Sequence, residues 1–464
     1  MKNLFTRKSF NIIVIVIDMI IIYLSIFLSY FLFEENLEAY QENFYAFISI
    51  SPYIGLCYLI LSQIFELDKP KDFKFLGVAY PIFLSIACLF FITMAISFMK
   101  REFAYPRSIL IFSSLLQFIL LSCWHLFVNR KFLKENARKN ILVVGYGKTK
   151  ELAYKLLRSG GIWAKIKNVC LPEDPSLYKH IQDVDVIFIS EDVEESRKQE
   201  IVEYCIKECK IIYYVPKNSE ILLFNAGISQ IDDIPILKVK YLAITGESVY
   251  IKRFIDIFLS IFALIIFSIP ILIISISLKL GGGSVLYTQE RITKGGRKFR
   301  ICKFRTMIEN AEALSGPVLA QQSDSRITKL GHILRTTRLD EVPQIINILK
   351  GEMSIVGPRP ERPFFVDKFK DEIPEYDLRH RVKAGLTGLA QIQGKYNTSV
   401  ENKLKYDLLY INSYSLTLDI KLIMQTLNIL LRKSSTEGVG NSVDYEAELK
   451  KLIEKNPKES SDNE

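Results

Sequence analysis

The sequence predicts an integral membrane protein: a four-helix transmembrane bundle, a Rossmann-like α/β domain, and a re-entrant membrane helix opening a further domain. Three observations carry that prediction. Four apolar runs of spanning length precede residue 130. From Asn140 the pattern changes to short β-like runs between polar helical stretches. A fifth apolar run, Phe254 to Leu280, is interrupted by Pro270 and flanked by cations on both sides.

Composition agrees. A chain of 464 residues holds two or three domains, and 49% hydrophobic content with positive mean hydropathy places part of it in lipid. The net charge of +9 is distributed as basic flanks beside long apolar runs, a membrane pattern, so no nucleic acid partner is expected. The seven cysteines form neither a C-x-x-C pair nor a zinc spacing, so a disulfide framework and a metal cluster are not indicated.

The spans of the bundle, residues 1–130, run about Phe10 to Phe33, Phe44 to Phe65, Phe75 to Phe98 and Ser108 to Val128. The first is too long for a cleaved signal and lacks a small-residue cleavage site. Lys2, Arg7 and Lys8 precede it, Lys69, Lys71 and Lys74 separate the second and third, and Arg130, Lys131 and Lys134 follow the fourth. Both ends of the bundle should therefore be cytoplasmic, although Lys100, Arg101 and Arg107 weaken the asymmetry. Asp18 inside the first span is a functional candidate, or an acid near the cytoplasmic end that reaches water.

Residues 139–240 read as the Rossmann-like domain, with strands at Ile141 to Val144, Val184 to Ser190 and Ile211 to Val215. Gly145 and Gly147 match two glycines of a dinucleotide fingerprint, but Lys150 stands where the third belongs and opposes close helix packing. A role in assembly or regulation fits better than a working cofactor site.

Phe254 to Leu280 has Lys252 and Arg253 before it and Lys279, Arg291 and Lys294 after it, so both ends look cytoplasmic. A helix broken at Pro270 can dip into the bilayer and return; the other reading is a plain fifth span. Beyond Gly281 to Gly283, alternating residues around Lys294-Gly295-Gly296 predict a β-hairpin. Six cations from Arg291 to Lys303, then Arg305, make an anion-attracting surface.

The richest stretch is Leu334 to Pro360, where Asp340 and Glu341 precede an apolar helical run, Ile345 to Leu349. At a helix N-terminus both carboxylates should stay ionised, and as neighbours about 100° apart they should do different jobs. An ionised Asp can attack phosphorus while the other acid holds a metal. Arg335 and Arg338 precede the pair, and Arg359 follows inside Gly357-Pro358-Arg359-Pro360, whose fixed proline angles suit a phosphate clamp. An Asp-Glu pair is also an ordinary helix cap.

The whole string, Leu339 to Gln344, Asn347, Leu349 to Ser354 and Val356 to Pro360, resembles the bacterial sugar transferase family of monotopic polyprenyl-phosphate hexose-1-phosphate transferases. Lys252, Arg253 and Asp256, the segment Gln289 to Met307, and Arg379 to Gln391 are similar to other motifs of that family, with Ala384 in place of a usual proline. The similarity covers about 249–440, with the re-entrant helix at 252–280; it implies an α/β catalytic domain there, and 441–464 reads as a mobile tail.

By that resemblance the chain transfers hexose 1-phosphate from a UDP-sugar to undecaprenyl phosphate, releasing UMP, at the start of exopolysaccharide or capsule repeat-unit assembly. Asp340 would be nucleophile, Glu341 would help hold Mg²⁺, and Arg335, Arg338, Arg359, Lys303 and Arg305 would bind phosphate. Location in the bacterial cytoplasmic membrane, contact with membrane lipid and a homodimer are further expectations. Two other classes stay open: a membrane-tethered nucleotide-sugar dehydratase or epimerase, whose Tyr-x-x-x-Lys would be Tyr213 and Lys217 on an apparent strand, and a non-catalytic polysaccharide-assembly scaffold.

Overall fold

The computed structural model describes residues 7–33, 37–67, 75–102, 105–136, 139–158, 165–239, 242–308, 326–394 and 398–430. The expected tail, 441–464, lies outside them. The described residues form two compact units, one up to Val215 and one from Pro216.

The first unit opens with α1 (Arg7–Phe33), α2 (Leu37–Ile64), α3 (Phe75–Met99) and α4 (Arg107–Asn136), each long and apolar enough to cross a membrane. α1 packs on α2 and α4, and α3 on the same two. Asp18 does not reach water. It is fully buried, accepts a 2.8 Å hydrogen bond from Tyr58 Oη on α2, and lies 3.0 Å from His125 Nε2 on α4. Polar partners from two other helices do the work that solvent was expected to do.

The α/β part follows as β1 (Asn140–Val144), α5 (Thr149–Arg158), β2 (Lys165–Cys170), α6 (Leu177–Gln182), β3 (Val186–Ile189), α7 (Glu195–Lys207) and β4 (Ile211–Tyr214). Its sheet is parallel, as expected, but the order β2-β1-β3-β4 is the flavodoxin-like doubly wound order rather than the Rossmann one. β1 and β3 are central, apolar on both faces: Leu142, Val144, Ile187 and Ile189 meet α6 and α7, whereas Ile141, Val143, Val186 and Phe188 meet α5. β2 escapes a reading of the sequence because Lys165 and Lys167 break its apolar run.

The second unit contains α8 (Asn218–Leu223), a hairpin of β5 (Gly227–Ile231) and β6 (Ile234–Lys238), and the 34-residue α9 (Glu247–Leu280). Next come β7 (Leu286–Ile292) and β8 (Lys298–Phe304), the hairpin expected around Lys294 to Gly296. α10 (Lys329–Thr337), a 3₁₀ turn (Leu339–Glu341), α11 (Gln344–Lys350) and β9 (Met353–Val356) carry the acidic pair forward. α12 (Pro363–Glu372), β10 (Ala384–Thr387, parallel to β9), α13 (Leu389–Gln393), α14 (Val400–Asn412) and α15 (Leu416–Leu430) complete the unit.

α9 differs from the expected broken hairpin. The helix runs on through Pro270, which removes one i→i−4 hydrogen bond while those above and below it remain. In its first four turns Lys252, Asp256 and Ser260, four residues apart, face the unit and are buried. Near its other end Leu278 packs with Phe304 and Leu334. Between them Phe262, Ile265, Ile266, Ile269, Leu272 and Ile273 are more than half exposed, a surface suited to lipid.

A buried ion pair fastens the start of α9. Lys252 meets Asp419 on α15, and Tyr410 on α14 donates to the same carboxylate at 2.8 Å. Asp419→Ala should therefore strand a buried ammonium and cost about 3–5 kcal/mol, read as a lower melting temperature in detergent, whereas Lys252→Met with Asp419→Leu should recover most of it. Equal melting of the single and double variants would remove this pair from its structural role.

Candidate active site around Asp340 and Glu341

The acidic pair sits on the 3₁₀ turn between α10 and α11, not in the first turn of α11. Arg338, in the left-handed region at φ 56°, ends α10 and starts the turn. Adjacent residues of a 3₁₀ turn point about 120° apart, so the two carboxylates diverge even more than on an α-helix. α10 is pressed against Thr306: a Cβ on Gly331 would lie 2.0 Å from the Thr306 carbonyl oxygen, so only glycine lets these segments meet. Asn347 on α11 joins the turn to β8, accepting from the Cys302 amide at 2.9 Å and donating to the Arg300 carbonyl at 2.8 Å. Thr306 and Asn347 are site-building residues that no charge pattern marks in the sequence.

Glu341 is clamped. Its Oε1 accepts from Lys303 Nζ at 2.6 Å and from Arg359 Nη2 at 3.2 Å, with only 13% of its side chain exposed. Burial alone would raise this carboxyl, but Lys303 and Arg359 outweigh it and hold it far below the usual carboxylate range. Asp340 has the opposite fate. Burial and the Glu341 charge push it up to about 6, against the opposing pull of Lys303, Arg335 and Arg359. The two acids are thus not alike at neutral pH: Glu341 is held firmly ionised, while Asp340 lies much nearer its titration range. Among the described residues Asp340 has no recorded hydrogen bond or ion pair.

The predicted cations do not all converge. Lys303 and Arg359 touch the pair; Arg335 donates through Nε to Thr306 Oγ1 at 2.9 Å and acts on Asp340 by charge. Arg338 adds to the field that lowers Glu341. Arg305, expected beside bound phosphate, instead turns to the Gly282 carbonyl just past α9, because its amide and side chain close the strand onto that turn. Pro270 lies inside α9 and contributes no group to this site.

The Gly357 to Pro360 segment is held through its main chain: Gly357 N donates to Thr387 O at 2.8 Å and Gly385 N to Pro358 O at 2.8 Å. Arg359 is thereby aimed from a fixed loop, as its flanking prolines imply. No cluster of three or more His, Cys, Asp or Glu exists among the described residues, so no all-protein metal cage is present there. Two adjacent carboxylates, with Glu341 Oε2 left without a recorded partner, still fit the sparse protein ligation that Mg²⁺ takes beside substrate phosphates.

Two amides of the glycine loop in the first unit are taken up by the protein itself. Asp192, after β3, accepts from the amides of Tyr146 at 3.2 Å and Lys148 at 3.0 Å, at the switch point where a doubly wound sheet would receive a phosphate. Tyr213 lies in β4 and stacks on Phe188 rather than standing on a helix with Lys217, so the dehydratase constellation is not formed.

Comparison with known proteins agrees with the motif reading. The family model of the bacterial sugar transferases matches residues 247–433. A UDP-N-acetylgalactosamine-undecaprenyl-phosphate N-acetylgalactosaminephosphotransferase of Aeromonas hydrophila is 38% identical over 224 residues, 47% of this chain and 52% of the relative. A UDP-glucose:undecaprenyl-phosphate glucose-1-phosphate transferase of Klebsiella pneumoniae is 35% identical over 227 residues, covering 47% and 48%. The chain thus spans about half the length of these relatives. A putative undecaprenyl-phosphate N-acetylgalactosaminyl 1-phosphate transferase of Bacillus subtilis is 46% identical over 136 residues, 29% of this chain and 75% of that protein. With its acidic pair, clamp and apolar α9 all inside the matched segment, the chain belongs to the bacterial sugar transferase family.

Proposed function

We propose that the protein transfers hexose 1-phosphate from a UDP-sugar to undecaprenyl phosphate in two steps through a phosphosugar carried on Asp340. The observation that carries this reading is the inequality of the acidic pair: Lys303 and Arg359 both bond Glu341, while none of the described residues hydrogen-bonds the Asp340 carboxyl, which burial and the Glu341 charge push up to about 6. A carboxylate with a raised pKa is a stronger nucleophile, and cations around it offset the charge of an approaching diphosphate.

In the first step an Asp340 oxygen bonds to the β-phosphorus and the phosphoanhydride bond breaks, its electron pair leaving with UMP. In the second a phosphate oxygen of undecaprenyl phosphate attacks the same phosphorus, the Asp340–phosphorus bond breaks, and the carboxylate returns as undecaprenyl-diphosphate sugar leaves. Lys303 and Arg359 orient Glu341 and face the phosphate charge; Arg335 and Arg338 contribute field. Mg²⁺ held by Glu341 with substrate phosphate oxygens would supply further neutralisation of negative charge. Relatives named for glucose, galactose and N-acetylgalactosamine all match this chain, so membership of the family does not by itself fix the hexose.

We place α9 as a re-entrant element that bends at Pro270 while staying helical, rather than breaking there. Its two ends meet one α/β unit, Arg253 through the Ile348 and Leu349 carbonyls at 2.6 and 2.7 Å and Leu278 through Phe304, whereas a spanning helix would carry its ends to opposite faces. The catalytic unit then lies at the cytoplasmic face of the bacterial cell membrane, where UDP-sugars are made, and its product would begin exopolysaccharide or capsule repeat units. The exposed Ile228, Ile231, Ile234 and Leu237 of the β5–β6 hairpin offer the proposed homodimer an apolar surface.

Incubation with UDP-sugar alone should release UMP stoichiometrically and leave an adduct on Asp340 by intact mass. Asp340→Asn should fold normally, form no adduct and lose roughly 4 kcal/mol or more of transition-state stabilisation. Near wild-type turnover in that variant would end the nucleophile assignment, and retained pathway flux in cells would favour the scaffold.

EDTA should stop UMP release and Mg²⁺ restore it; full activity in excess chelator would take the metal from Glu341.

Single-turnover UMP release should fall as pH drops through about 6, because protonation consumes the Asp340 nucleophile. Lys303 lowers that pKa, so Lys303→Ala should move the acid limb to higher pH; an unmoved limb would show that a different group titrates.

A further inference from the structure

Behind the loop that carries Arg359 lies a cation that touches neither carboxylate of the site. Arg379 is 5% exposed and buries its guanidinium between two hydrogen-bond acceptors and the carboxylate of Asp407, which it meets as an ion pair, with its Nε left unpartnered. It donates through Nη2 to the Arg359 main-chain carbonyl at 2.9 Å, pairs with Asp407 on α14 at 2.8 Å, and donates through Nη1 to Tyr376 Oη at 2.5 Å. On the other side of the loop Arg291 reaches the Pro360 carbonyl at 3.2 Å, and the Ile292 amide donates to the Glu361 carbonyl at 3.0 Å. The loop is thus gripped at three successive carbonyls.

A buried ion pair is a poor source of net stability, since desolvating both charges offsets their attraction. Burial raises the Asp407 carboxyl to about 6 even with Arg379 beside it, which marks how much this location costs. What the pair does provide is direction. A guanidinium is a rigid planar fork, and with Tyr376 and the Asp407 charge holding it, the nitrogen that donates to the Arg359 carbonyl fixes where that main chain lies. The Arg359 side chain is itself half exposed, so its reach to Glu341 at 3.2 Å depends on where that main chain is held.

We infer that Arg379, held by Asp407 and Tyr376, is a positioning residue that sets Arg359 onto Glu341 and so onto the phosphate of the substrate. This rests on the phosphoryl-transfer reading above, and it extends that reading to residues that contact neither substrate nor carboxylate. Arg291, held by Gln289 Oε1 at 2.8 Å, grips the next carbonyl along at 3.2 Å, whereas Arg379 bonds the Arg359 carbonyl itself at 2.9 Å and is the hold on that residue.

The test is a double-mutant cycle on the first half-reaction, scored as single-turnover UMP release by the full-length protein with UDP-sugar and no lipid acceptor. Arg379→Lys keeps the charge but loses the fork, and it should slow release on the order of 10²-fold at saturating substrate, as a misplacement of about 1 Å does. Arg359→Ala should cost a similar factor. Because Arg379 acts through Arg359, the double variant should be little slower than Arg359→Ala alone. A purely structural role would lower the fraction of active enzyme in both backgrounds, so the two losses would multiply, and that result overturns the inference. Asp407→Asn, which keeps shape while removing the counter-charge, repeats the cycle should Arg379→Lys fold poorly, with the same non-additivity expected. Full UMP release by Arg359→Ala would instead fault the phosphate role of Arg359, leaving the two failures distinguishable.

Discussion

The structure turns on how a helix too apolar for water is bound to a domain too polar for lipid. α9 solves this with one face of its first turns: Lys252 pairs with Asp419, Arg253 donates to the last carbonyls of α11, and Asp256 accepts from Ser354 Oγ at 3.0 Å and the Ile355 amide at 2.9 Å. Each tie ends on a different element, so α11, β9 and α15 are held in one arrangement by three consecutive polar residues of that face. Such ties are specific because an unmade one would leave a charge or a backbone group buried without a partner. They also place the C-terminal end of α11 against α9 while its N-terminal end presents the acidic pair.

From that frame the electrostatics follow. Two adjacent carboxylates near several cations could share the field evenly, yet here the geometry gives both contacts to Glu341. Glu341 becomes a fixed negative charge that organises Lys303 and Arg359, and its charge in turn raises Asp340. One acid serves as the electrostatic anchor for the cations, and its charge keeps the pKa of the other raised. The rigidity of the Gly357 to Pro360 loop matters for the same reason: a mobile Arg359 would move between the two carboxylates and erase their difference.

Much of this was legible in the sequence because it is written in local patterns. Spanning lengths, the hairpin around Lys294 to Gly296 and the string from Leu339 to Pro360 each depend on neighbours in the chain. What was not legible depends on residues far apart. Nothing near Asp18 signals Tyr58 or His125, and nothing near Arg305 signals that it closes onto Gly282 rather than the acidic pair. Pro270 was read as a break because proline removes a hydrogen bond, yet one lost bond in a helix of this length leaves the remainder intact. The strand order of the first unit was likewise unreadable, since short connections permit β3 to flank β1 on either side.

That strand order bears on why a nucleotide-like fold sits in a chain whose chemistry lies in another unit. In the order β2-β1-β3-β4 the crevice at the switch point lies between the loops after β1 and β3. Asp192 follows β3 and fills that crevice with its own carboxylate, accepting the two loop amides that a phosphate would otherwise engage. Those amide bonds lower its pKa against the opposing effect of burial, so the carboxylate remains charged at neutral pH and repels any incoming anion. The sheet keeps two apolar faces in one packed core, and its glycine loop has these two amides satisfied within the protein.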